Sequence, residues 1–231
     1  EIRLSLVGSE MCIRDRLANS ATVAVTLDAC TRVERDRTTY NIIGELTGRN
    51  PDRKIMLSAH YDSYFDGFQD DNTAISMMLG MGKALVETGW QPENTILFCA
   101  MASEEWGVAD SQFDWSTGAY EQVFTVHPEW RGQVIADLNF ELPAYEFATY
   151  TTTYSAPEMF SLLRDFTTRY PYAPKPQGCF PDGVLTEGYQ TYTYSDDFSY
   201  YAAGVPSTVN GFLLQKDMEH VHPFYIDYYH T

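Results

Sequence analysis

Apolar positions along the chain fall into three compact runs and two helical stripes. Lys54 to His60 (KIMLSAH) is almost continuously apolar, which predicts a strand covered on both faces. Thr95 to Ala102 and Val134 to Glu141 repeat that pattern. Between the first two, residues 72–89 follow a 3.6-residue period. Ile75, Met78, Leu79, Gly82, Leu85 and Val86 share one stripe, so Ile75, Met78 and Leu79 are expected to face the core, with Gly89 as the stop. Ala21 to Leu27 and Tyr40 to Leu46 read as β-rich segments entering a sheet from its edge, and Gly48 and Asn50-Pro51 mark a turn. Ser155-Ala-Pro-Glu158 reads as a capping box opening a helix that buries Met159, Leu162, Leu163 and Phe166. Beyond Pro171 the sequence is loop-like and tyrosine-rich, until Gly204-Val-Pro206 leads into a short strand from Ser207 to Phe212. Strands alternating with helices predict a three-layer α/β sheet.

The polar residues that close these runs change the picture. Lys54 to His60 drives straight into SAHYDSYFDGFQDDN, Ser58 to Asn72, which holds one histidine and four aspartates. The second run ends in Ser103-Glu104-Glu105 and the third in Asn139-Phe140-Glu141. Crowded like charges resist desolvation unless a cation or hydrogen-bond donor offsets them. A solvated acidic loop would account for one such stretch. Three strands ending in acids favour a metal site, because open α/β sheets gather their sites at the carboxyl ends of strands.

With 231 residues, 44% of them hydrophobic, the chain is long enough for one sizeable core. Its longest strictly apolar run, Ile96 to Ala102, is far short of the roughly 18 to 20 residues that span a bilayer. A net charge of -17 repels phosphate backbones and anionic membrane surfaces, which excludes nucleic acid as a partner, and it attracts cations. Cys12, Cys30, Cys99 and Cys179 have no zinc-finger spacing, and Cys99 sits within an apolar strand, where a buried thiol is expected. No secretory signal is visible, and the location stays open, an extracytoplasmic or secreted one included.

His60-Tyr-Asp62, Asp70-Asp71, Glu104-Glu105, Asn139-Phe140-Glu141 and Tyr229-His230-Thr231 occur in an order that resembles the co-catalytic zinc aminopeptidase and glutamate carboxypeptidase-type metallopeptidase family. The resemblance implies an αβα sandwich with a mixed, mostly parallel central sheet and two zinc ions. His60, Asp70, Glu105, Glu141 and His230 would be the metal ligands, with Asp70 bridging. Asp62 would accept the second imidazole N–H of His60 and fix its tautomer. Glu104 would be the general base. Asp71 is the alternative to Asp70, whose register puts Ala74 at the family's small position. Asp137, of the same strand parity, is the alternative to Glu141, since the family more often has aspartate there. Residues 39–231 would form the catalytic domain, shortened at its C-terminus. Residues 17–38 would be the tail of a preceding segment. GSEMCIRDR within residues 1–16 looks like a translated sequencing adapter, a non-native leader.

His127, His220 and His222 are left without a role. Ser195-Asp196-Asp197, Phe198 and Gly204-Val-Pro206 resemble the family's substrate-side segment, or form a polar turn. The tyrosines at 189, 192, 194, 200 and 201 would wall a pocket or line a strand edge. From Pro171 onward seven acids face only Lys175 and Lys216, so the region offers little to bind a substrate carboxylate. That favours an aminopeptidase acting on peptides over a carboxypeptidase. An inactive relative serving as a binding module, and a single-zinc aminoacyl cyclase, are the competing readings.

Overall fold

A computed structural model of the chain describes residues 37–108, 115–143, 150–169, 183–188 and 195–213, with isolated positions at 28, 30, 32, 34 and 35. The expected strand at 21–27 and the residues after 213 lie outside them.

The apolar runs form the centre of the sheet. In chain order the strands are β1 (Ile42–Leu46), β2 (Asn50–His60), β3 (Asn94–Met101), β4 (Val134–Phe140), β5 (Tyr150–Ser155), β6 (Gly183–Gly188) and β7 (Ser207–Leu213). They pair as β1-β3-β2-β4-β7-β5-β6. β2 runs parallel to both β3 and β4, β4 parallel to β7 and β5 parallel to β6, while β1 and β7 each meet an antiparallel neighbour. The sheet is therefore mixed and mostly parallel.

Side chains alternate across it and build two cores. Met56, Leu97, Cys99 and Met101 pack on one face with Ala119, Val123, Trp130 and Tyr200. These come from α2 (Thr117–Glu121), the turn after it, α3 (Trp130–Gln133) and α5 (Asp197–Ala202). Leu57 and Ala59 pack on the other face with Ala74 and Met78 of α1 (Thr73–Glu87). α4 (Pro157–Arg169) packs against β5 and β6. Helix, sheet and helix make the three layers that the alternation of elements predicts.

Several expectations need correction. Leu79 is 70% exposed and Val86 is exposed too, because α1 leaves an apolar groove of about 390 Å³ between itself and β1. Leu162 and Phe166 are also exposed, and α4 turns inward Met159 and, in part, Phe160 and Leu163. The capping box does not form: Ser155 ends β5, and its hydroxyl donates to the carbonyl of Ala156. The helix opens on Pro157, where a missing N–H does no harm. β5, β6 and α5 have no counterpart in the apolar pattern: β5 (YTTTYS) is threonine-rich, and β6 (GVLTEG) and α5 (DFSYYA) are too short and mixed to show a period.

Candidate metal centre

β2 and β4 pair with Met56 opposite Asp137 and Ser58 opposite Asn139, a register that carries on to His60 and Glu141 at the carboxyl edge. His60 Nε2 lies 3.5 Å from Glu141 Oε1 and 2.9 Å from Asp70 Oδ1. Asp70 and Asp71 arrive on the wide turn 68–72, joined by a cis peptide bond, both with buried side chains. Glu104 and Glu105 follow β3, just past Ser103, whose φ of 57° is in the left-handed region. Leu142, after Glu141, has φ 48°. Non-glycine residues in this region carry strain and cluster at sites where the backbone must aim a side chain.

Two overlapping donor groups result. His60, Asp70 and Glu105 form one, and His60, Asp71 and Glu141 the other, each with ligand atoms within 4.8 Å of one another. Asp137 is in neither: it lies deeper, fully buried, where Ser58 Oγ donates to its Oδ1 at 2.8 Å. The structure thus brings Glu141, not Asp137, to the edge, and both Asp70 and Asp71. His230 and the tyrosine before it lie outside the described residues, as do His220, His222 and the tyrosines at 189, 192 and 194.

The donor set fits a divalent cation. His60 Nε2 and Asp71 Oδ2 are buried without a hydrogen-bond partner, although carboxylate oxygens surround them. An imidazole nitrogen with converging carboxylates is a zinc ligand set, and a dication would offset the repulsion among the acids. Burial lowers the His60 pKa, but Glu141, Asp62 and Asp70 together drive it well above the ordinary value. Burial, Glu141 and Asp70 raise Asp71 well above the usual carboxylate range against the opposing pull of His60.

Asp62 works differently from its expected part. His60 Nδ1–H donates to the main-chain carbonyl of Asp62 at 2.8 Å, while the carboxylate oxygen stands 3.7 Å away. That carboxylate instead accepts the backbone N–H groups of Glu104 and Glu105, each at 3.1 Å. The carbonyl orients the imidazole and the side chain holds the turn carrying the two glutamates. Glu104 is 6% exposed, accepts from Ser116 Oγ at 3.3 Å, and is pushed well up by burial. His60 opposes that rise, whereas Glu141 and Asp196 reinforce it.

A polar network lies beneath. Ser195 Oγ donates to Glu141 Oε2 at 2.5 Å and accepts from Asn139 Nδ2 at 2.7 Å. Ser195 therefore faces the centre, whereas Tyr200 does not wall a pocket: it is fully buried, its hydroxyl against Met101 Sδ. His127 stacks on Trp130 and pairs with Glu129 at the surface. Ser116 was invisible to sequence reasoning, since its only link to Glu104 is made by folding.

Comparison with known proteins places this geometry. A "Glutamate carboxypeptidase 2 homolog" of Caenorhabditis briggsae is 37% identical over 76 residues, 31% of this chain and 10% of that protein. A "Probable leucine aminopeptidase 2" of Aspergillus fumigatus is 32% identical over 112 residues, 48% of this chain and 21% of that protein. Among solved structures, a zinc aminopeptidase from Bacillus subtilis superposes with a TM-score of 0.62 at 21% identity, over 83% of this chain and 43% of its own. A Macrostomum lignano glutaminyl cyclase superposes with a TM-score of 0.58 at 19% identity, over 73% and 59%. The chain spans about a tenth and about a fifth of these two curated relatives' length, and the structural likenesses speak to the fold. The profile of Peptidase family M28 matches residues 41–231, and the chain belongs to that family.

Proposed function

We propose that the chain carries the metal centre and general base of a zinc-dependent exopeptidase acting on the amino end of peptides. The observation that carries this reading is the pair of overlapping donor groups sharing His60. His60, Asp70, Glu105 and Glu141, with Asp71 as the alternative to Asp70, would hold the zinc together with His230. When bound, zinc lowers the pKa of water and draws electron density from a peptide carbonyl. Glu104 takes the proton of the attacking water and returns it to the leaving amine, as a buried carboxyl in that position can. Asp62 keeps Glu104 and Glu105 in register. The scarcity of bases after Pro171 supports the amino end over the carboxyl end.

Glu104→Gln in the zinc-loaded protein is expected to abolish turnover of an aminoacyl arylamide with zinc content unchanged. Retained turnover sinks the reading of Glu104 as base. Cleavage of an N-blocked dipeptide alone would assign a carboxypeptidase. The cyclase-like fold neighbour keeps a single-zinc cyclase as the second reading, which a zinc stoichiometry of one would favour. A protein that binds no zinc would be the binding module.

A further inference from the structure

The rim of the centre exposes aromatic surface that packing does not require. Trp106, next in the chain after Glu105, is 53% exposed. Its ring meets that of Tyr64 at 5.4 Å between centroids, tilted by 44°. Tyr64 in turn donates its hydroxyl to the carbonyl of Glu105 at 3.3 Å. The segment carrying Tyr64 also exposes Phe65 at 74% and Phe68 at 68%, the latter two residues before Asp70. Exposed aromatic rings cost free energy in water, and a contiguous set of them marks a binding surface.

Their position decides what would bind. Tyr64 bonds to the carbonyl of Glu105, a member of one donor group, and Trp106 follows that residue, so the ring pair stands at the mouth of the metal centre. A peptide whose scissile carbonyl sits at that centre must carry a neighbouring side chain past the mouth. The wall there is a tilted pair of aromatic rings, which meets an apolar side chain by contact area, while the Tyr64 hydroxyl is held by the backbone of Glu105.

We infer that Tyr64 and Trp106 form a recognition wall for an apolar side chain flanking the scissile bond. This rests on the exopeptidase reading above. Leu-Ala, Ala-Leu and Ala-Ala distinguish whether the side chain before or after the bond is read. In the zinc-loaded protein, Trp106→Ala is expected to reduce the preference for leucine over alanine about tenfold in one of the two series, measured as kcat/KM. Trp106→Phe should retain it, and Trp90→Ala, an exposed tryptophan at the opposite end of β3, should leave it untouched. Calorimetric binding of the same dipeptides to Glu104→Gln protein gives the parallel measurement without turnover. An unchanged preference in both series, with zinc retained, overturns the wall and leaves the exopeptidase reading standing. Absence of zinc binding overturns that reading and this inference with it.

Discussion

Asp62→Asn separates two ways in which one aspartate could serve this centre. In the structure the carboxylate takes two backbone N–H bonds, from Glu104 to Oδ1 and Glu105 to Oδ2, both at 3.1 Å. Asparagine keeps one acceptor oxygen and turns its NH₂ toward the other amide, leaving one donor facing a donor. A hydrogen bond to a charged acceptor contributes about 1.5–3 kcal/mol, and the side chain is only 15% exposed, so water replaces little of it. At roughly 1.4 kcal/mol per decade, that is one to two decades in rate if the loss falls on the placement of Glu104. His60 keeps its partner, because that partner is the carbonyl of the main chain. The expected result with an aminoacyl arylamide is therefore a kcat lowered about 10- to 100-fold in zinc-saturated enzyme, with KM and zinc affinity close to unchanged. The opposite pattern, zinc affinity lowered and kcat intact at saturation, would mean that the carboxylate acts on the imidazole and not on the two backbone amides.

Two further outcomes follow from the buried groups. Burial raises Asp137 well above the ordinary aspartate value of about 3.9, and Asp197 and Asp196 add to the rise against the Ser58 and Ser207 hydrogen bonds. Asp137 then keeps its proton in the native state at pH values where the unfolded chain has lost it, so its own contribution to stability is fully present at acid pH and is lost as pH rises towards the raised value. Asp137→Asn should flatten that decline in denaturation midpoints between pH 5 and 9, and an equal slope in the two proteins contradicts it. Gly118→Ala should cost about 2–3 kcal/mol in urea unfolding, because the added Cβ would stand 1.8 Å from the carbonyl oxygen of Ala102, which is backbone and cannot turn aside; a loss under 0.5 kcal/mol would show that α2 shifts freely.

The strands that carry the site were legible because each is a local apolar run closed by an acid, and a parallel sheet brings such ends to one edge. β5 (YTTTYS), β6 (GVLTEG) and α5 (DFSYYA) were not, since threonine, glycine and serine give no apolar period and tertiary pairing supplies their stability. Periodicity also named the stripe of α1 without saying how much of it would be covered, so Leu79 was expected inside and stands outside. In the site, residue type located the ligand candidates, whereas the bonds of Asp62 depend on which oxygen, main-chain or side-chain, reaches which N–H. Sequence spacing carries no such information.

Cys99 sits in the middle of β3, between Ile43 of β1 and Ser58 of β2, with no accessible surface and a thiol that burial keeps protonated. Cys30, in contrast, is exposed. An alkylating reagent will therefore reach Cys30 in the native protein and Cys99 only when the central ladder parts. The ratio of the two labelling rates is a built-in clock for opening of the strand that leads to Glu104, readable by mass spectrometry.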